Sequence, residues 1–579
     1  MQIKARAFNV ATVDAMSAQG TNALLARLYA ARGVMHHREL ETSLSLIIPP
    51  ERLTNNTRMA QLLADAILAN KKILVIGDYD ADGATATAVA VKGLRQFCQI
   101  LESSAQIDFL VPNRFEYGYG LTPEIVELAY VQKPDILITV DNGIASVDGV
   151  LKANQLGMQV LITDHHLPAD VTPEAACIVN PNQHGCDFPS KNLAGVGVMF
   201  YVLLALRAEL RTRGAFINKL GINKSGINKS EPNLTELLDL VALGTVADLV
   251  KLDTNNRILV EQGLRRIRAG ACSAGITALL MVSAKSAEKL TAKDLGFSVG
   301  PRLNAAGRLD DMRLGIECLL AENATDALQK AEILNDLNME RRNIEADMQD
   351  SALAALDLVN VTQQYSVCMF HADWHQGVIG ILASRLKERY HRPAIVFAEA
   401  GDGLLKGSGR SIPGLHLRDA LDLITKRYPD LIIKFGGHAM AAGLSIKKTD
   451  CERFQTTFEI VLRELLTEAD LQAAIEIDGG LHAEEMDLAT AQLLSRQVWG
   501  QGFHEPLFFD TFNVINQRVL KEKHSKLLLE KDQKRFDAIY FNYADILPST
   551  ITAVYSLDVN EYKGLQTVQL MLKHIELEV

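Results

Sequence analysis

The sequence predicts an α/β protein: a parallel-sheet domain, a long connecting helix, a second and smaller α/β domain, and a C-terminal β-barrel. Three observations carry this. Apolar strand-like runs alternate with helical patterns from Leu53 to Val179, the signature of a doubly wound parallel sheet. Residues Ala324–Leu358 are rich in Ala, Leu, Glu, Lys, Arg and Asn, with almost no helix breakers. Beyond about residue 465, short apolar runs alternate with turn residues, as in a small barrel.

Taken in order, residues 1–48 show helical patterning (Thr21–Tyr29) and no chemistry. Residues 49–325 form the first α/β domain. It reads as helix Arg58–Leu68, strand Ile73–Ile76, helix Thr85–Phe97, strand Ile107–Val111, helix Pro123–Val131 and strand Ile136–Val140. Helix Val147–Leu156 and strands Val160–Thr163 and Cys177–Val179 follow, then helices over 193–210 and 234–280. Gly77, Gly83 and Gly143 fall at strand-to-helix turns, where unusual backbone angles are expected. Gly-Ile-Asn-Lys-Ser is written twice, at 221–225 and 226–230. Surface loops tolerate such insertions cheaply, and no function is assigned to it. The connecting helix covers 326–360. The second domain, 361–462, reads as strand Ser366–Phe370, helix Val378–Tyr390, strand Ala394–Phe397 and a glycine-rich hairpin. The barrel, 463–579, has strands at Phe508–Ile515, Leu527–Glu530, Ala538–Asn542 and Gln566–Leu572.

Bulk composition narrows the class. The chain has 579 residues, 48% apolar and 22% charged, enough for about three or four globular domains. No apolar run approaches the roughly 20 residues of a membrane span. The N-terminus lacks a signal-peptide core, and the seven cysteines form no Cys-x-x-Cys pair. A monomeric, reduced, cytoplasmic protein is expected. The net charge of −11 argues against coating nucleic acid by bulk charge, while leaving room for a local basic channel.

The chemistry lies just after three predicted strands, where open parallel sheets bind ligands. The motifs are Asp78-Tyr-Asp80-Ala-Asp82-Gly83, Asp141-Asn-Gly143 and Asp164-His165-His166. In an extended segment Asp78, Asp80 and Asp82 point the same way and repel unless cations lie between them. One acidic turn alone is as often a solvated helix cap. The EF-hand reading lacks its glutamate at the twelfth position. Five acids and two histidines at one sheet edge point instead to a metal centre, with Asp248 in an apolar helical run as a further ligand. Mixed carboxylate and imidazole donors suit Mn²⁺ or Mg²⁺, and two such ions support in-line attack on phosphorus. Asp141 is the candidate bridge. Asp80 serves one ion, and Asp82, His165 and Asp248 the other. Asp78 ligates or supports, and His166 touches the scissile phosphate. Asp78, Asp141, His165 and His166 are thus the candidate catalytic residues.

A phosphodiester also needs clamps that arginines and backbone amides in glycine-rich turns can supply. Candidates for substrate binding are Arg114, Arg302, Asn304, Arg308, Ser408, Arg410 and His438. Those of the second α/β domain suggest two lobes facing each other.

Asp-His-His, with Asp-Tyr-Asp-Ala-Asp-Gly upstream and Gly436-Gly-His-Ala439 downstream, resembles the DHH phosphoesterase superfamily. Val111-Pro-Asn-Arg-Phe, Leu193-Ala-Gly-Val-Gly, Gly244-Thr-Val-Ala-Asp, Pro301-Arg-Leu-Asn-Ala-Ala-Gly-Arg, Trp374-His-Gln-Gly-Val-Ile-Gly and Lys406-Gly-Ser-Gly-Arg-Ser resemble the bacterial RecJ exonucleases in order and spacing. The resemblance runs from about residue 50 to the end. It implies DHH and DHHA1-like domains, and an oligonucleotide-binding (OB) fold opening at Gly502-Phe-His-Glu-Pro-Leu-Phe. It implies 5′-to-3′ degradation of single-stranded DNA to mononucleotides with two Mn²⁺ or Mg²⁺ ions. Asp80, Asp82, Asp141, His165 and Asp248 are then ligands, and Arg114, Ser408 and Arg410 hold the 5′-phosphate end. Single-strand-binding protein, a helicase, and roles in recombination and mismatch or base-excision repair are implied too. One departure stands out: Ile76 occupies a place where many relatives carry a metal-binding histidine. The first metal is then held more weakly, or Asp78 compensates. Basic residues of the barrel (Arg518, Lys521, Lys523, His524, Lys526, Lys531, Lys534, Arg535) are candidates for gripping the strand. Two rivals remain: a DHH phosphodiesterase of short oligonucleotides, cyclic dinucleotides or pyrophosphate, and a non-catalytic DNA-binding scaffold.

Overall fold

Five strands, all parallel, build the sheet that carries the acidic motifs. Their order is Gln106–Leu110, Lys72–Ile76, Ile136–Val140, Gln159–Thr163 and Cys177–Val179. Register aligns their ends: Ile76 pairs with Thr139, Val140 with Thr163, and Thr163 with Val179. Every chain exit that bears an acid therefore leaves the sheet at the same edge. The central strands are apolar on both faces because helices cover both. Leu74 and Ile76 join a buried cluster with Ile125, Val126, Val150 and Ala153 of helices Pro123–Val131 and Val147–Gln155.

Helix Ala81–Leu101 is made largely of small residues and is buried along most of its length. Small residues let helix axes approach closely. At Gly93 a β-carbon would sit 2.4 Å from Leu203 of helix Gly195–Thr212. Helix Leu238–Ala247 packs against both.

The computed structural model describes residues 2–216, 231–356 and 361–576. The doubled Gly-Ile-Asn-Lys-Ser lies outside them. Two compact units emerge: Ala5–Asn335 with Ile477–Val579, and Asp336–Glu476 with the first few residues. The division falls within helix Ala324–Leu356. Among the described residues no helix is long and apolar enough to cross a membrane.

The second unit is a mixed five-stranded sheet, ordered Lys434–Gly437, Ala441–Lys447, Leu404–Arg410, Ala394–Glu399, Val367–Phe370. Only the last pair is parallel. Its core gathers Phe397, Leu444, Phe454 and Phe458.

The barrel is closed, ordered Phe508–Leu520, His524–Lys531, Lys534–Tyr540, Leu565–Glu576, Thr550–Tyr562. Thr550–Tyr562 is the strand that sequence patterning missed. Ala553–Leu557 is buried on both faces, because helix Leu488–Ser495 covers one of them. Alternation, the usual strand signal, is lost there. Of the eight basic residues, Lys526, Lys531, Lys534 and Arg535 sit beside Asp537, Asp510, Glu484 and Glu530. Arg518, Lys521 and Lys523 are exposed around the Leu520–His524 turn.

The barrel belongs to the same unit as the parallel sheet, and its attachment is polar and aromatic. Asp478, almost wholly buried, accepts two hydrogen bonds from Arg32 at 2.9 Å, one from Arg6 at 3.0 Å and one from the Leu507 amide at 3.1 Å. Phe503 stacks on Tyr29 and Trp499, with the Arg257 guanidinium 4.3 Å from its ring centroid. The Gly502–Phe508 motif is thus a docking segment. Removing one member of a buried charge cluster strands the others and costs about 3–5 kcal/mol. Asp478→Ala is expected to lower the urea midpoint of this unit accordingly. It should also make the 477–507 segment the first site of limited proteolysis.

Candidate active site

Each acidic motif is placed by a specific local device. After strand Lys72–Ile76 the chain turns at Gly77, and Asp80 caps helix Ala81–Leu101 by accepting the Gly83 amide at 2.9 Å. Asp82 lies in the first helical turn. The expectation of an extended Asp78–Asp82 segment is corrected: helix begins at Ala81, so the three carboxylates are splayed by a cap and not by strand alternation. The glycines act differently from expectation as well. Gly143 alone takes a left-handed conformation, with φ +114°. Gly83 is glycine for space, since a β-carbon would meet Asp78 at 2.6 Å, and at Gly77 one would meet Thr87 at 2.3 Å. The residue with the unusual angle is Asp141 itself, at φ +63°. Aspartate tolerates that conformation better than most side chains.

Asp82 is gripped from behind. Its two oxygens accept the amides of Gly195 and Val196 at 2.6 and 2.9 Å. These are first-turn donors of helix Gly195–Thr212, where an anion is favoured. Gly195 has no side chain because one would collide with Asp141, 2.5 Å away.

Around this anchor the candidate ligands converge. His165 Nε2 lies 3.1 Å from Asp141 Oδ1, 3.5 Å from Asp248 Oδ2 and 4.0 Å from Asp82 Oδ2. Donor atoms of Asp141, His165 and His166 all lie within 4.8 Å of one another, and so do those of Asp82, His165 and Asp248. Two overlapping triads share His165. Asp141 Oδ1 and His165 Nε2 are buried without a hydrogen-bond partner among the described residues. Buried polar atoms are otherwise nearly always satisfied, so this donor set fits divalent cations.

Electrostatics agree with the geometry. Burial, reinforced by the charge of Asp248, pushes Asp82 up to about 7. Burial and Asp80 push Asp248 up to about 8. Burial, then Asp82, Asp80 and Asp78, raise Asp141 well above the carboxylate range. Such mutual elevation marks acids crowded away from water. Burial and neighbouring His166 hold His165 below its ordinary value, neutral as a metal ligand must be. His166 behaves oppositely. Burial would lower it, but the hydrogen bond and charge of Asp164 lift it to about 9.

Asp164, named in its motif but given no role in the sequence, and Tyr119, not named there, both contact His166. Asp164 is buried and held below its ordinary value despite that burial, chiefly by His166. It accepts His166 Nδ1 at 2.8 Å and the amides of His165 and Ile144 at 2.7 and 2.9 Å. The Tyr119 hydroxyl lies 3.1 Å from His166 Nε2. Asp164 could be found as the first residue of its motif. Tyr119 carries no sequence signal.

The remaining candidates divide. Asp78 and Asp80 are charge neighbours of the centre, although neither completes a triad among the described residues. Ile76 is 1% exposed in the apolar cluster, and its side chain takes no part in the site. Arg302 does not join the centre. Its guanidinium donates to the carbonyls of Ser298 and Val282 and to Asn335 Oδ1. Asn304 Oδ1 accepts the Ala81 amide. Arg308 ends the same helix, Gly300–Leu309. Arg114 opens the short helix Arg114–Tyr117, and its side chain lies outside the described residues. In the other unit, Arg410 donates to Ser408 Oγ at 3.2 Å and to the Gly409 carbonyl at 2.8 Å. Burial alone lowers it, with no acid of that unit compensating. Gly380, at the start of helix Ile379–Tyr390, allows the pair to come close. His438 lies in the turn before Ala441, the register partner of Arg410.

Comparison with known proteins matches this architecture. The DHH family N-terminal domain matches residues 72–245, the DHHA1 domain 361–464 and the RecJ OB domain 477–574. The chain is 49% identical over 563 residues to the single-stranded-DNA-specific exonuclease RecJ of Salmonella typhimurium, covering 95% of each. RecJ of Thermus thermophilus in complex with Mn²⁺ superposes with a TM-score of 0.82 at 26% identity, over 100% of this chain and 80% of that one. Its Mg²⁺ complex gives 0.77 at 25% identity, over 100% and 79%.

Acids held near 7 and 8 must shed protons when a cation enters. Mn²⁺ affinity should therefore rise between pH 6 and 8, by up to about tenfold per pH unit for each proton released. Calorimetry in buffers of different ionisation enthalpy should count those protons. An affinity flat above pH 6 would contradict the electrostatics.

Proposed function

The chain belongs to the RecJ family of single-stranded-DNA-specific exonucleases, and on that footing we propose that it hydrolyses phosphodiester bonds from the 5′ end, releasing mononucleotides. It is a metal-dependent exodeoxyribonuclease, with Mn²⁺ or Mg²⁺ as cofactor. The observation that carries this is the pair of unsatisfied buried atoms, Asp141 Oδ1 and His165 Nε2, ringed by Asp82 and Asp248.

The cations held by Asp80, Asp82, Asp141, His165 and Asp248 would neutralise the phosphodiester and acidify an attacking water. The chain's own groups do the rest. Asp141 lies in one triad, 3.1 Å from the His165 nitrogen that both triads share, and as the candidate bridge it would help to hold both ions. Asp82 is fixed by two amides, so its carboxylate has no freedom to swing away. Asp164, against Nδ1, favours the protonated form of His166. His166 Nε2, now 3.1 Å from the Tyr119 hydroxyl, would turn that contact over to a non-bridging phosphate oxygen as charge builds there. Tyr119, beside that nitrogen, limits how far the ring can turn.

Polarity and product rest on the family resemblance and on the second unit. Arg410 and Ser408, with no acid among the described residues offsetting the burial of Arg410, suit a 5′-terminal phosphate. The exposed basic turn Leu520–His524 and the nearby stacked pair Tyr540–Tyr543, 4.9 Å apart, suit a single strand running over the barrel. The closed barrel and the match along the whole chain weigh against a hydrolase of cyclic dinucleotides, short oligonucleotides or pyrophosphate. The same resemblance implies action with a single-strand-binding protein and a helicase in recombination and repair, while the unpaired, scattered cysteines suit the cytoplasm.

Strands labelled at either end should show Mn²⁺-dependent release of the 5′ label as mononucleotide, with duplex controls untouched. Asp141→Ala should abolish release, and a length series should show no preference for dimers over long strands. Arg410→Ala should raise KM for 5′-phosphorylated strands about tenfold or more, the worth of a charged hydrogen bond. Release from the 3′ end, or from Asp141→Ala, would overturn the reading.

A further inference from the structure

Helix Gly300–Leu309 carries the motif Gly-Pro-Arg-Leu-Asn-Ala-Ala-Gly-Arg, which looked in the sequence like a phosphate clamp. Its contacts tell a different story. Asn304 Oδ1 accepts the amide of Ala81 at 2.8 Å. Ala81 is the residue between Asp80 and Asp82, and its N–H is a first-turn donor with no partner inside its own helix. Three residues on, and so on the same face, Gly307 lies against the carbonyl of Tyr79. A β-carbon at Gly307 would stand 1.9 Å from that oxygen. Tyr79 is the residue between Asp78 and Asp80. One helix face therefore holds the peptide groups on both sides of Asp80. The helix is fixed in turn by Arg302, which donates to Ser298, Val282 and Asn335.

Resting on the metal-centre reading above, we propose that Asn304 is a positioning residue for the metal ligands and does not contact DNA. Its carboxamide oxygen fixes the Ala81 peptide and so sets the separation and direction of the Asp80 and Asp82 carboxylates. Without the acceptor, the Ala81 N–H is left to turn toward the adjacent carboxylates and compete with the cations for their lone pairs. Groups that orient ligands in this way commonly change metal affinity by about 10–100-fold when removed.

The test uses the full chain and two substitutions of similar shape: Asn304→Leu, which lacks the acceptor, and Asn304→Asp, which keeps it. Direct Mn²⁺ binding is read from the free-ion signal in electron paramagnetic resonance, without DNA. Wild type and Asn304→Asp should bind within about threefold of each other, whereas Asn304→Leu should bind about tenfold or more weakly. KM for single-stranded DNA at saturating Mn²⁺ should not change, and the lost activity of Asn304→Leu should return as Mn²⁺ is raised. Asn304→Asp serves as the folding control. Equal Mn²⁺ binding by Asn304→Leu and wild type would overturn the proposal, as would a raised KM for DNA with unchanged metal binding. Failure of the wild type itself to bind Mn²⁺ would instead remove the metal-centre reading beneath it.

Discussion

Carboxylates crowded out of water repel one another, and either retained protons or cations placed among them relieve that repulsion. The catalytic unit is arranged around this constraint. Parallel register delivers the chain to one sheet edge after Ile76, Val140 and Thr163. The amides of Gly195 and Val196 then hold Asp82. An unusual backbone angle turns Asp141 inward. Asp248 arrives as the cap of a neighbouring helix. None of these placements is favourable alone, since each buries a charge. Together they form a site whose protons are easily exchanged for metal ions.

The two adjacent histidines show how surroundings divide one residue type into two roles. His165 sits among the acids but deep enough that burial keeps it neutral and its lone pair available. His166, one residue on, has Asp164 against Nδ1 and holds its proton. Two oppositely shifted imidazoles thus emerge from a dipeptide at a strand end. The same economy appears in the barrel's attachment, where one buried aspartate ties Arg6, Arg32 and the Leu507 amide together.

Much of this was legible in the sequence. The strands of the parallel sheet, the acids after them and the two α/β domains followed from periodicity and from motifs at strand ends. What stayed hidden depended on neighbours remote in the chain. Asn304 and Ala81 are 223 positions apart, so the bond between them leaves no local sequence signal. Gly83 and Gly195 are small because other residues approach them, which no local pattern records. Arg302 donates to the carbonyls of Ser298 and Val282, contacts that its letter in the sequence does not record. Thr550–Tyr562 escaped because a covering helix removed the alternation that marks strands.

The central claim is that Asp82, Asp141, His165 and Asp248 enclose a pair of cations. Anomalous diffraction from crystals grown with Mn²⁺ tests it most directly. The account predicts two peaks about 3.5–4 Å apart, both within bonding distance of Asp141, with His165 and Asp248 on the same ion as Asp82. A single peak, or peaks bound by other residues, would contradict it.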